Sequence, residues 1–206
     1  MLEQTKIIKK WLGAGSINIF GLPFSGKDTQ CAILANMLGG VKISSGDILR
    51  HDHGNKKIQE LMSSGGIIPS DLFEEVVLPF FSRPELKNRP LLLSSVGRSK
   101  GEETVILRAS ASSGHPTKAV IYLKVSEREV WERFEQSKKL NDRGKRQDDS
   151  KESLEKRLEE FRIKTKPVIK FYHNDGLLIE INGALPEKKV TEQILDRLER
   201  LAKLHS

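Results

Sequence analysis

The sequence predicts an α/β fold in which a five-stranded parallel sheet is doubly wound by helices, and three observations carry that prediction. Short apolar runs alternate with longer amphipathic stretches along the chain, the pattern of a sheet built from strand-helix-strand units. The runs at 91–93 and 119–123 are apolar without alternation, as strands buried on both faces require. Between the first strand and the first long helix lies a glycine-punctuated turn, Gly21, Leu22, Pro23, Phe24, Ser25, Gly26, Lys27, Asp28, Thr29, Gln30. In such a fold a ligand sits outside the carboxyl ends of the strands.

The elements follow in order. Leu2, Ile7, Ile8, Trp11 and Leu12 lie at helical spacing, so 1–15 is an N-terminal helical extension, packed on the core or open to a partner. Residues 16–20 alternate as a strand, and 31–38 form the helix after the turn. Gly39 and Gly40 end that helix, Val41, Lys42 and Ile43 make a second strand, and Ser44 or Ser45 caps the next helix. Breaks at Gly54-Asn55 and Gly65-Gly66, then a helix from 71 to 81 with Val76, Val77 and Phe80 on its apolar face, make 44–82 a helical insert. Strands at 91–93, 119–123 and 177–181 alternate with helices at 101–113, 127–138 and 151–172, and Val190, Ile194, Leu198 and Leu201 define a C-terminal helix. The stretch 138–150 is too polar for any core and is either a solvated loop or a short lid that closes on an anion.

At 206 residues the chain is large enough for one well-buried core, and nothing in it demands two. Its one cysteine, Cys31, excludes an intrachain disulfide and a multi-cysteine zinc site. No apolar run reaches membrane-span length, and Gly13, Gly15, Ser16 and Asn18 interrupt any signal-peptide core, so the cytoplasm and no membrane partner are expected. The formal charge of +7 suits an anionic partner. Nucleic acid is a poor candidate, because aromatics are only 6% of residues and no stacking platform or backbone clamp is evident.

The turn at 21–30 has the physics of a phosphate cradle. Backbone N–H groups converge in it, the helix dipole adds partial positive charge, Lys27 reaches toward β- and γ-phosphates, and Thr29 adds a hydroxyl. Gly21 and Gly26 allow positive φ and close approach of backbone to ligand. Asp28 stands where the general pattern has a hydroxyl residue, and as a first-turn residue it is expected to face solvent.

In this order the residues resemble the adenylate kinase family of nucleoside monophosphate kinases, over about 16–204. That family has Gly-Lys-Gly-Thr-Gln where this chain has Gly26-Lys27-Asp28-Thr29-Gln30. Its Ser-Thr-Gly-Asp-Leu-Leu-Arg is similar to Ser44-Ser45-Gly46-Asp47-Ile48-Leu49-Arg50, and its lid Arg-x-Asp-Asp with a following Lys-Arg-Leu is similar to 146–149 and 156–158. The lid looks like the short form. The resemblance implies transfer of the γ-phosphoryl group of ATP, with Mg2+, to a nucleoside monophosphate, most simply AMP, by a monomer. It implies that Lys27, Arg98, Arg133, Arg146 and Arg157 carry catalysis. ATP would be held by Gly21, Phe24, Ser25, Gly26, Lys27, Asp28, Thr29, Gln30, Arg133, Ser137 and Leu185. The acceptor would lie against Ser45, Arg50, Gly66, Ile67, Ile68, Ser95, Arg98, Glu102, Arg146 and Arg157. No side chain would bind metal directly; Mg2+ would be held through waters near Thr29 and Asp47.

The chain departs from the family pattern at Asp28, at Ser94 in place of a strand-end aspartate, at Glu102 in place of a base-reading glutamine, and at Ser137 in place of a lid-base arginine. These departures keep open a kinase for CMP or UMP, or a nucleotide-binding protein with lost or altered catalysis.

Overall fold

The computed structural model describes residues 2–51, 70–140 and 150–205. Five parallel strands form one sheet: β1 (Ser16–Gly21), β2 (Val41–Ser44), β3 (Leu91–Ser94), β4 (Thr117–Lys124) and β5 (Leu178–Asn182), in the order β2-β3-β1-β4-β5. The central β1 is buried along its whole length, which is why its sequence is apolar apart from short polar side chains that find partners inside. With β3 on one side of β1 and β4 on the other, the chain leaves the strand ends in opposite directions and opens a crevice there.

Helices cover both faces. On one, α1 (Leu2–Leu12), α2 (Lys27–Leu38) and α9 (Glu187–Leu204) bury Ile8, Leu12, Leu34 and Ile194 against Ile17, Ile19, Leu92 and Ile121. The helix α1 is docked rather than projecting: Ile8 and Leu12 enter this core, and Gln4 Nε2 donates to Asp196 Oδ1 at 2.8 Å and Glu199 Oε2 at 3.0 Å on α9. On the other face lie α3 (Ser45–His51), α4 (Ser70–Phe81), α5 (Glu102–Ser112), α6 (Glu127–Leu140), α7 (Lys151–Glu160) and α8 (Lys166–Asn174). There Val77, Phe81 and Ile106 pack on Leu91 and Leu93, and Phe134, Leu158 and Tyr172 on Phe20 and Val120. Among the described residues no helix is long and apolar enough to cross a membrane.

The long helix expected over 151–172 is interrupted. Between α7 and α8 the backbone widens into a π-turn at Phe161–Thr165, closed by the Lys166 N–H donating to the Phe161 carbonyl. Pro167 supplies the reason: without an N–H it cannot continue the regular ladder, and the extra residue in the turn absorbs the mismatch. The turn buries Phe161 and Thr165 and leaves Ile163 exposed.

Cys31 lies on the inner face of α2, its Sγ donating to the Leu92 carbonyl at 3.0 Å, and burial pushes its thiol up to about 12. Only the thiolate attacks, so at pH 8 a disulfide reagent is expected to label the native protein at least ~10²-fold more slowly than the urea-unfolded chain. Equal rates would show that this face of the core is open.

Candidate active site

The loop at the end of β1 is shaped by crowding. A Cβ on Gly21 would collide with the Ser25 side chain, so Gly21 serves close approach rather than a positive φ. The left-handed positions are Gly26 (φ 86°), as its type predicts, and Phe24 (φ 59°), which nothing in the sequence marks. An aromatic residue in that region is strained by about 1–3 kcal/mol. It is held by the edge of Phe134 at 5.4 Å between centroids and by Arg133 Nη1, which donates to the Phe24 carbonyl at 3.2 Å. The Ser25 N–H donates to the Leu22 carbonyl at 3.1 Å, and the chain enters α2 at Lys27. Ser25 Oγ is buried with no hydrogen-bond partner among the described residues, the kind of group that a phosphate oxygen would satisfy.

Beside the loop lies a cleft of about 260 Å³. Of the residues expected at ATP, Phe24, Ser25, Gly26, Thr29, Gln30, Arg133, Ser137 and Leu185 all line it, joined by Gln136 and Gly183. Several of them brace the cleft walls. Arg133 Nη2 donates to the Gly183 carbonyl at 2.8 Å and pairs with Glu129 at 3.3 Å, so one guanidinium ties the loop after β1 to the loop after β5. Gln30 Nε2 donates to the Glu187 carbonyl at 3.1 Å and its Oε1 accepts from Thr191 Oγ1 at 2.8 Å, which anchors α2 to α9. Ser137 donates to the Phe134 carbonyl of its own helix, and the Lys138 ammonium sits over the Phe134 ring at 4.2 Å.

Asp28 does not simply face solvent. Its side chain is 59% exposed, yet Oδ1 accepts from Ser94 Oγ at 2.8 Å and lies 3.7 Å from Lys42 Nζ, while Oδ2 lies 3.7 Å from Lys27 Nζ. Two of the departures, Asp28 and Ser94, thus meet in one hydrogen bond. Sequence spacing gives no sign of it, because the partners are separated by a whole strand-helix-strand unit.

Across β3 a second loop is held in place by Asn18, a fully buried residue in mid-strand. Its Nδ2 donates to the Val96 carbonyl at 2.7 Å and its Oδ1 accepts the Val96 N–H at 3.3 Å. The loop needs the support: Ser95 has φ 50° and Gly97 φ 75°, and a Cβ on Gly97 would press on Ile106. Of the residues expected at the acceptor, Ser45 and Ser95 are brought together, Ser45 Oγ donating to the Ser95 carbonyl at 3.0 Å. Ser44 is the residue that caps α3, its Oγ accepting the Asp47 N–H at 3.2 Å and donating back to Asp47 Oδ2 at 2.6 Å. Glu102 is buried at the start of α5, with Oε2 accepting the Ser99 N–H at 3.0 Å. Burial raises its carboxyl above the ordinary range despite that hydrogen bond and the Arg98 charge. Arg98 is exposed on this loop, Arg50 is carried by α3, and Arg157 lies half-buried on α7; neither Arg98 nor Arg157 lines the cleft. Gly66, Ile67, Ile68 and Arg146 lie outside the described residues, as do 52–69 of the expected insert and 141–149 of the expected lid.

No group of three or more metal-ligating side chains occurs among the described residues. The Thr29 hydroxyl and the serine-held carboxylates of Asp28, 3.7 Å from Lys27, and Asp47 are oxygen donors of the kind that suits a hard cation keeping several of its waters.

A family model described as Adenylate kinase matches residues 19–177. Among curated proteins the chain is similar to the adenylate kinase of Thermus thermophilus, with 31% identity over 179 residues, covering 84% of this chain and 91% of that protein. It is similar to the adenylate kinase of Thermobifida fusca, with 29% identity over 189 residues, covering 89% and 98%. The adenylate kinase of Caldicellulosiruptor saccharolyticus is 27% identical over 209 residues, covering 87% and 97%.

Removing the Asn18 amide leaves a buried N–H and a buried carbonyl of Val96 without partners. Asn18→Ala is therefore expected to lower unfolding free energy by about 1–3 kcal/mol in urea titration. A loss within about 0.5 kcal/mol, the scatter of neutral surface changes, would show that the loop stands without it.

Proposed function

Since the chain belongs to the adenylate kinase family and is thus a phosphotransferase of the nucleoside monophosphate kinase class, we propose that it moves the γ-phosphoryl group of ATP to AMP, giving two ADP. The observation that carries the ATP half is the gathering of Ser25, Gly26, Thr29, Arg133, Ser137 and Leu185 on one cleft beside Lys27. In this reading the triphosphate lies along the loop, the unpartnered Ser25 hydroxyl and the α2 N-terminus meet its oxygens, and the base rests between Ser137 and Leu185.

A phosphate oxygen of AMP attacks the γ-phosphorus in line with the departing β-phosphate oxygen of ADP. Little covalent help is needed, so the task is to neutralise and align two polyanions. Lys27 meets the β- and γ-phosphates; Arg50 and Arg98 hold the acceptor phosphate; Arg133, Arg146 and Arg157 converge on the transferring group as the flaps at 44–82 and 138–150 close. Guanidinium groups suit this work because they stay ionised and give paired donors to phosphate. Mg2+ arriving with ATP offsets charge on the β- and γ-phosphates. The enzyme acts as a monomer in the cytoplasm, the apolar side of α1 being covered by α9.

AMP is the acceptor that membership of the adenylate kinase family favours, and Glu102 admits it alongside CMP. An ionised carboxylate only accepts, so Glu102, whose Oε2 takes the Ser99 N–H, suits an exocyclic amino group rather than a carbonyl oxygen. Adenine and cytosine carry one there; guanine and uracil present a carbonyl oxygen, which the carboxylate repels.

With MgATP and a panel of AMP, CMP, UMP and GMP, a coupled assay for nucleoside diphosphate is expected to show AMP first and CMP second, with UMP and GMP at least about tenfold lower in kcat/KM. Lys27→Ala should fold and lose about 10²–10³-fold in kcat, the range for deleting one preorganised positive donor. No turnover with any member of the panel would contradict the proposal.

A further inference from the structure

We propose that Asp28 makes the phosphate loop selective for metal-bound ATP over the bare tetraanion. A carboxylate in the first turn of the helix that receives a triphosphate opposes binding unless its charge has a use there. This one is fixed from three elements: by the Ser94 hydroxyl at the end of β3 (2.8 Å), by Lys42 of β2 (3.7 Å) and by Lys27 of the loop (3.7 Å). Its side chain remains more than half exposed, at the mouth of the loop and beside the lysine expected at the β- and γ-phosphates.

A second arrangement repeats the first. Ser44 and Ser94 are register partners at the carboxyl ends of neighbouring strands. Each donates its hydroxyl to one carboxylate, Ser44 to Asp47 at 2.6 Å and Ser94 to Asp28 at 2.8 Å. Two oriented acceptors therefore stand side by side at the sheet edge, next to a loop that carries a buried, unpartnered Ser25 hydroxyl.

The two ligand forms differ in net charge and in what they present at this point. Lys27, Lys42 and Asp28 together carry two positive charges and one negative, a field that a bare triphosphate would find stronger without the carboxylate. Mg2+ carried with the nucleotide would cancel half of its charge and bring bound waters, whose hydrogens Asp28 and Asp47 would accept. The same side chain thus disfavours one form and favours the other. Were Asp28 merely a counterion for Lys27, its removal would raise affinity for both forms, and more for the tetraanion.

The inference rests on the loop being an ATP site, and the test separates the two claims. Calorimetric titration of ATP is carried out with excess Mg2+ and with EDTA, on the wild-type protein, Asp28→Asn and Asp28→Glu. The wild type is expected to bind MgATP more tightly than free ATP. In Asp28→Asn affinity for MgATP should fall while affinity for free ATP rises, so that the ratio of the two dissociation constants falls about tenfold, the effect of one unit charge a few ångströms away at a dielectric between those of protein surface and water. MgATP affinity that rises in Asp28→Asn would mark a plain counterion and overturn the inference. Asp28→Glu, which keeps the charge, should stay within about threefold of the wild type, a spread of well under 1 kcal/mol. A ratio for Asp28→Asn within twofold of the wild type, or an Asp28→Glu protein that behaves like Asp28→Asn, would overturn the inference. Wild-type protein that binds ATP under neither condition would instead remove the ATP site itself.

Discussion

The proposed ATP loop depends on keeping a short segment in a backbone shape that a relaxed chain avoids. Phe24 is held at positive φ, Gly21 leaves no room for a side chain, and Ser25 keeps a polar atom buried without a partner. These features cost stability. The surrounding structure offsets the cost through contacts that also place the loop: Arg133 clamps the Phe24 and Gly183 carbonyls, Phe134 packs on the Phe24 ring, and Gln30 locks α2 to α9. A receptor already in shape meets its ligand without an ordering penalty, and its dipoles need no reorganisation when charge moves.

The same economy recurs on the other side of β1. Ser95 and Gly97 hold the loop after β3 in left-handed conformations, and the amide of Asn18 grips the Val96 peptide on both its donor and its acceptor. Away from the strand ends, ion pairs do a different job. Arg162 joins Glu127 at the start of α6, through Nε at 2.9 Å and Nη2 at 2.6 Å, and Glu159 on α7 at 2.7 Å. It thereby couples the helices on either side of residues 141–149. These side chains are exposed, so each pair contributes little to stability. Their geometry sets how the two helices are placed relative to each other.

Much of the fold was legible because it follows from periodicity. Continuous apolar runs gave β3 and the middle of β4, and all five strands lie within a few residues of where the sequence places them. The glycine turn was legible too, and it lies where the sequence puts it, between a strand and a helix that begins at Lys27. What stayed hidden depended on pairings between distant residues or on backbone strain. The Asp28–Ser94 hydrogen bond joins positions 66 residues apart. Positive φ at Phe24 and Ser95 has no compositional marker, because neither residue type favours it. Asn18 was visible as a polar residue in an apolar strand, and that oddity was the available signal for a buried hydrogen-bonding role. The π-turn was foreshadowed only by Pro167, whose effect is easily read as a helix start within a longer helix.

Hydrogen–deuterium exchange on the wild-type protein, with and without MgATP, is the most direct test that this loop is the ATP site. The account predicts that amides in 22–30 slow on adding MgATP by about tenfold or more, the protection that corresponds to ~1.4 kcal/mol of added local stability. Strands β1, β3 and β4, protected already, should change little. Loop amides that exchange at the same rate with and without saturating MgATP would contradict it.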